Sequence, residues 1–297
     1  VLGALVALWL YPTLSTSDVP FTAFALFLSV SMSVTAFPVL ARILTDRHMQ
    51  HSPLGVMALA CAATDDVSAW CLLALVMGVA QSRIDAAIVV ALLTVAYIVV
   101  MFAAVRPLVA RLIPRWCPGD LTPAVLAALL IGALASALAT EAIGVHAIFG
   151  AFLFGAVIPH DSRAARQTVD KLRDMVATLL LPAFFALSGM RTRIDLVSGW
   201  QAWLICLAII AVATLGKFGG TLAAARLMRF SWRDAASLGI LMNTRGLMEL
   251  IVLNIGLDLG IISPTLFAMM VVMALATTVA TGPILSLLTG QSAAARG

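Results

Sequence analysis

Charge is what this sequence has least of. Asp, Glu, Lys and Arg make up 11% of its 297 residues, where a soluble domain carries about a quarter. Such a chain cannot cover itself with polar surface in water. Disordered, collagen-like and coiled-coil classes are excluded by the same composition. Cysteine is scarce too: Cys61, Cys71, Cys117 and Cys206 show no C-x-x-C spacing and lie mostly in apolar runs. Neither a disulfide framework nor a zinc site is expected. A polar domain, a low-complexity tract and a long linker are all missing, so residues 1–297 read as a single membrane domain. The start lacks a charged n-region and cleavage site, which argues against a signal peptide. It opens on Val1 inside an apolar run, and the expectation is a chain that begins partway through a helix.

What remains is apolar. The AVILMFWYC share is 62% and the mean hydropathy is +1.08. A helix needs about 20 apolar residues to cross the hydrocarbon core. One partial span, 1–11, and nine full spans are predicted: 20–43, 53–80, 86–112, 121–140, 145–159, 174–190, 199–228, 235–256 and 264–289. The polar stretch 159–173 is expected to form an amphipathic surface helix. The net charge of +4 does not point to nucleic acid, because the basic residues cluster between apolar runs. One alternate set of connections holds Arg42, Arg47, Arg106, Arg111, Arg115, Arg163, Arg166, Lys171, Arg173, Arg226, Arg229, Arg233 and Arg296. The other holds only Arg83, Arg191 and Arg193. That asymmetry places the first set, and the C-terminus, in the cytoplasm. Trp116 and Trp232 fall at the inner interface, and Trp9, Tyr11, Trp200 and Trp203 at the outer one.

Four places carry polar groups deep inside spans, at a cost of about 3 kcal/mol per ionised residue. Asp65 and Asp66 lie mid-span in ALACAATDDVSAW. Neighbours on a helix point about 100° apart, so the two carboxylates cannot serve the same partner equally. One acts as a structural partner for a buried base, while the other holds a proton or a small cation. Lys217, in GKFGGT, needs an acidic partner; Asp65, Asp66 and Glu249 are the candidates, with an aspartate favoured. The flanking glycines suggest close helix approach there. Arg245 and Glu249, spaced i,i+4, read as an intrahelical lock. Asn243, Thr244 and Gly246 around the Arg suggest a helix break. In SVTAFPVLARIL, Pro38 interrupts the hydrogen-bond ladder. The motif is either a simple kink or, through Thr35, an ion ligand, with Ser31, Ser33 and Thr35 satisfying the freed carbonyls. His146 is either a helix cap or a pH sensor.

Spans 20–43 and 235–256 run in opposite senses by the basic-residue count. Two broken helices of opposite sense suggest inverted repeats meeting at the midplane, so the fold class is an all-α polytopic bundle with two crossed, broken helices. An intramembrane aspartyl protease is disfavoured, since its two carboxylates must face each other from separate helices.

The segments TAFPVLARIL, ALACAATDDVSAW, HAIFGAFLFGAVIP, LPAFFALSGMRT, GKFGGT and MNTRGLMELIVLNIG together resemble the monovalent cation:proton antiporter-2 family. The resemblance implies secondary active exchange of Na⁺, Li⁺ or K⁺ for H⁺, with a potassium-efflux protein of the same fold as the alternative. It implies thirteen helices, a core transport domain and a dimerisation panel, with about three N-terminal helices missing from this chain. It further implies a cation- and proton-binding set of Asp66, Asp65, Thr35 and Asn243: Asp66 is the carboxylate that takes cation or proton, Asp65 stands at a variable position where an aspartate goes with the electrogenic, two-proton type, and Thr35 and Asn243 fall at the unwound breaks. Lys217 is implied as the partner of Asp65. Arg245 and Glu249 complete the charge compensation. No cofactor, no enzymatic activity and no nucleic-acid partner are expected. The implied setting is the lipid bilayer of a bacterial plasma membrane, as a homodimer.

Overall fold

A computed structural model describes residues 1–16, 19–81, 84–117, 119–145, 147–159 and 161–289. Each long apolar run winds into helix, because in hydrocarbon a backbone must satisfy its own polar groups. The order is α1 (Leu2–Leu14), α2 (Phe21–Ser31), α3 (Phe37–Asp46), α4 (Pro53–Gln81), α5 (Ile84–Val100), α6 (Arg106–Trp116), α7 (Pro123–Ile143) and α8 (Ala147–Val157). There follow α9 (Arg163–Met175), α10 (Leu181–Arg191), α11 (Gly199–Thr214), α12 (Gly220–Leu227), α13 (Trp232–Met242), α14 (Leu247–Asp258) and α15 (Pro264–Thr289). Among the described residues no strand forms; Ser15 and Ile262 make an isolated antiparallel bridge.

Helix starts carry the expected chemistry. Thr122, Ser162 and Ser231 cap α7, α9 and α13 by accepting the N–H groups of Val125, Ala165 and Asp234, which satisfies donors that a first turn leaves orphaned. Gly144, at φ 97°, closes α7 in the left-handed conformation that glycine adopts without strain.

Five stretches among the described residues are by themselves long and apolar enough to cross a membrane: Leu92–Trp116, Pro123–Ile143, Arg163–Leu196, Gly199–Leu227 and Pro264–Thr289. A sixth is the pair α13 and α14, bent by 43° at its break. One sequence expectation changes. The stretch 159–173 is not a separate surface helix: α9 runs through a π-helical turn, Val176–Leu180, straight into α10, because no proline or glycine separates the polar run from the apolar one. The span 20–43 is broken as expected, into α2 and α3, and the alternative of a simple proline kink does not hold.

The chain divides into two compact units, one comprising Val1–Leu73 with Met190–Gly297, the other Ala74–Gly189. In the first, Leu40, Leu44, Ala62, Leu241 and Leu285 form a buried apolar cluster that packs α3, α4, α13 and α15 together. α14 comes so close to α2 that a Cβ on Gly256 would meet the Phe27 ring at 2.1 Å. The second unit is pinned by Ser136, whose hydroxyl donates to the Gly150 carbonyl and lies 2.5 Å from the Tyr97 hydroxyl. Its surface is apolar, with Leu134 and Leu138 each 71% exposed. Water would not tolerate such a surface, and lipid matches it. Trp9, Trp116, Trp200, Trp203 and Trp232 are likewise exposed. His146, Arg83 and Arg296 lie outside the described residues.

Candidate functional site

The first compact unit holds every charged residue that the sequence singled out inside spans. Its centre is two helix breaks in contact with each other. α2 ends at Ser31 and α3 begins at Phe37; α13 ends at Met242 and α14 begins at Leu247. The intervening residues are those read as poor helix centres. Pro38 lies in the first turn of α3, where its missing N–H costs nothing.

Every buried backbone group freed by a break needs another partner, and the breaks supply much of that to each other. The Ala36 N–H donates to the Thr244 carbonyl at 3.0 Å. The Thr35 hydroxyl donates to the Met242 carbonyl at 3.0 Å. Arg245 donates from Nη1 to the Ser31 carbonyl at 3.2 Å and from Nη2 to the Met32 carbonyl at 2.5 Å. Its own N–H and carbonyl are both engaged by the Thr278 hydroxyl of α15. Ser31 and Ser33 turn back to the Leu28 and Val30 carbonyls, which also accept the Met32 and Ser33 N–H groups, so these hydroxyls do not serve freed carbonyls as expected.

Asp65 and Lys217 bridge the first break to its neighbours. Asp65 Oδ2 accepts the Thr35 N–H at 2.7 Å and Lys217 Nζ at 2.9 Å. The ammonium also donates to the Ser33 carbonyl. The pair is partly buried, with side chains 14% and 22% exposed for Lys217 and Asp65. Lys217 therefore neutralises an aspartate and also caps a half-helix. Its partner is Asp65, and Glu249 is committed elsewhere. Lys217 stands in a π-helical turn, Leu215–Gly219, of the kind often found at functional positions. The expected close approach at the flanking glycines holds only for Gly216, where a Cβ would come to 3.2 Å from Leu2. At Gly219 and Gly220 there is open space.

Asp66 behaves differently from its neighbour. Its Oδ1 is buried without a hydrogen-bond partner, and among the described residues it joins no ion pair. A helix turns enough between adjacent residues to give one carboxylate the lysine and leave the other unclaimed. Asn243, in the second break, is also buried. Its Nδ2 reaches the Thr214 hydroxyl at 3.5 Å, and its Oδ1 has no partner. Thr35 is fully buried; because its hydroxyl spends its proton on Met242, its lone pairs remain.

Arg245 and Glu249 are fully buried and meet at 2.8 Å. The pair is not intrahelical as expected. Arg245 lies in the break, while Glu249 occupies the first turn of α14, where the helix dipole favours a negative charge. Sequence reasoning missed Thr278 and Thr214, together with the Ser31, Met32 and Ser33 carbonyls. A hydroxyl cluster at Thr277, Thr278 and Thr281 in an otherwise apolar span was the available signal for the first. No group of three or more His, Cys, Asp or Glu residues suited to a resident metal occurs among the described residues.

Paired discontinuous helices around buried charges, in a chain of long apolar helices, define an integral multi-pass membrane protein of the ion-exchanger class. The chain belongs to the sodium/hydrogen exchanger family, whose transmembrane-region model matches residues 1–290. It is 40% identical over 287 residues to the Na⁺/H⁺ antiporter NhaS4 of Synechocystis, covering 96% of this chain and 70% of that protein. It is 39% identical over 268 residues to cation/H⁺ antiporter 19 of Arabidopsis thaliana, covering 89% of this chain and 34% of the relative. It is 33% identical over 296 residues to K⁺/H⁺ antiporter 1 of Saccharomyces cerevisiae, covering 96% and 34%. The chain thus spans about a third of the length of the plant and yeast relatives. These relatives are transporters by name.

Proposed function

We propose that this protein exchanges a monovalent cation for H⁺ across a membrane, with Asp66 holding the proton and the cation in turn. The observation that carries this reading is the contrast within one residue pair. Asp65 is consumed by Lys217 and Thr35, whereas Asp66 keeps a buried oxygen that no hydrogen-bond donor among the described residues engages. A desolvated carboxylate without a basic partner can take a proton or a small cation, but not comfortably both. That competition is the basis of coupled exchange.

This reading assigns the neutral oxygens of the cation site to Asn243 Oδ1 and the Thr35 hydroxyl and its charge to Asp66, a donor set suited to hard monovalent cations such as Na⁺, Li⁺ and K⁺. Asp65 and Lys217 hold charge balance without joining the transported species, and Arg245 with Glu249 locks the second break. The relatives named for Na⁺/H⁺, cation/H⁺ and K⁺/H⁺ antiport support the class of reaction without choosing the ion. A potassium-efflux pathway of the same fold is the second reading; the intramembrane Lys217 counts against it, because a conduction path has no use for a neutralising ammonium. The protein works in a bacterial plasma membrane with its C-terminus cytoplasmic, as a homodimer.

The experiment is dequenching of a pH dye in proteoliposomes, with Na⁺, Li⁺ and K⁺ added in turn. Cation-dependent proton movement supports exchange. Cation flux without proton movement would favour the efflux reading.

A further inference from the structure

α15 touches both broken helices through one stripe of residues. Thr278, Gly282 and Ser286 are spaced four apart, which places them on one face of the helix. At the lower end of the stripe, Arg47 Nη2 donates to the Gly282 carbonyl at 2.7 Å and to the Ser286 hydroxyl at 2.8 Å. Arg47 is the residue that ends α3. At the upper end, Thr278 Oγ1 accepts the Arg245 N–H at 2.9 Å and donates to the Arg245 carbonyl at 2.7 Å. One hydroxyl thereby replaces both bonds that the Arg245 peptide groups would make in an unbroken helix.

The position of Arg245 matters because three other contacts hang from the same backbone. The preceding carbonyl, that of Thr244, receives Ala36. The Arg245 side chain reaches the Ser31 and Met32 carbonyls. Asn243, two residues earlier, presents the unpartnered Oδ1. Among the described contacts, the only side chain from outside the two broken helices that grips the Arg245 backbone is Thr278.

We infer that Thr278 is a positioning residue for the ion site: it holds the second break in register, so that Asn243 Oδ1 stays where cation binding requires it and the Thr244 carbonyl keeps its bond to Ala36. It does not touch the ion. The inference rests on the reading of Asp66, Asn243 and Thr35 as the site. A valine has the same shape as threonine but cannot donate or accept a hydrogen bond, so it would strand a buried N–H and a buried carbonyl and let the break drift.

The test compares Thr278→Val and Thr278→Ser with the unmodified protein in proteoliposomes, recording cation KM, maximal rate and pH profile for the cation it transports. The expected result is a rise in KM of about tenfold for the valine variant and near-normal KM for the serine variant. With cation ligands loosened and the carboxylate intact, protons compete better, so the pH profile of the valine variant should move to higher pH. A residue of merely structural importance would lower the yield of folded protein and leave KM and profile unchanged in what folds; that outcome overturns the inference. Should Thr278→Val fail to fold, Thr278→Cys takes its place, and equal KM for the cysteine and serine variants is then the contrary result. Absence of exchange in the unmodified protein would defeat the proposed function itself, whereas normal exchange with an unaffected valine variant would defeat only the role of Thr278.

Discussion

Ala36 donates its backbone N–H to the carbonyl of Thr244 at 3.0 Å, and this bond ties one broken helix to the other at their breaks. Ala36 caps the N-terminus of α3, and Thr244 follows the C-terminus of α13. A positive helix end therefore meets a negative one. The reciprocal contact is made by Arg245, which precedes α14 and covers the last carbonyls of α2. The facing ends of α2, α3 and α13 are each completed by groups from the other break, so the two breaks form one unit.

That crossing is testable without any transport assay. Gly246 has extended backbone, φ 169°, so alanine brings no conformational strain. A Cβ there would nevertheless meet Val39 Cγ2 at 2.7 Å and Ala36 Cβ at 3.4 Å. Gly246→Ala should cost about 1–2 kcal/mol through overpacking. Val39→Ala should relieve much of it, giving clear non-additivity in a double-mutant cycle. Thermal unfolding in detergent supplies the values; strictly additive effects would mean that the two breaks do not touch.

Asp65 and Lys217 should show the signature of a partly buried ion pair. Removing one partner of a fully buried pair costs roughly 3–5 kcal/mol, and residual exposure should reduce this to about 2 kcal/mol here. Asp65→Asn combined with Lys217→Gln should therefore unfold at a higher temperature than either single variant. An amide at 65 still accepts the Thr35 N–H, so the double variant keeps that bond. A double variant less stable than both singles would show that the pair does more than neutralise itself.

For Arg245 and Glu249 the burial is complete. Glu249→Gln preserves shape but leaves a guanidinium with no counter-charge, a loss of about 3–5 kcal/mol. The variant should accumulate poorly and unfold well below the unmodified protein. An unchanged melting temperature would remove the pair from any structural role.

Much of this was legible in the sequence because membrane helices make polar residues conspicuous. Asp65, Asp66, Lys217, Arg245 and Glu249 stood out against apolar surroundings, and Pro38 with Asn243–Gly246 marked the breaks. The 20–43 and 235–256 spans are broken where the poor helix formers lie. What stayed hidden depends on the backbone. Carbonyls such as Ser31, Met32 and Ser33 carry no side-chain signal, and the π-helical turn at Lys217 has no residue pattern of its own. The span pattern alone leaves the partner of Lys217 among three carboxylates, because helix rotation about a long axis is not encoded locally; only the family resemblance pointed to Asp65. Continuity of α9 into α10 was missed for a related reason: polarity changes abruptly at residue 174, while helix propensity does not.

Competition at a single carboxylate has a kinetic consequence. If protons and cations exclude each other from Asp66 as proposed, the apparent KM for the cation should rise as pH falls, while the maximal rate at saturating cation stays nearly constant. Initial rates over a grid of pH and cation concentration measure this. A KM independent of pH would place the two ions at separate sites.

The central claim is most directly tested by Asp66→Asn, reconstituted in proteoliposomes and assayed by dye dequenching with Na⁺, Li⁺ and K⁺. The amide fits the same space but can neither bind a proton at neutral pH nor carry the charge that attracts a cation. The predicted result is a variant that elutes and melts like the unmodified protein and gives no cation-driven proton movement above protein-free liposomes. Substantial cation-driven proton movement in that variant would contradict the assignment of Asp66.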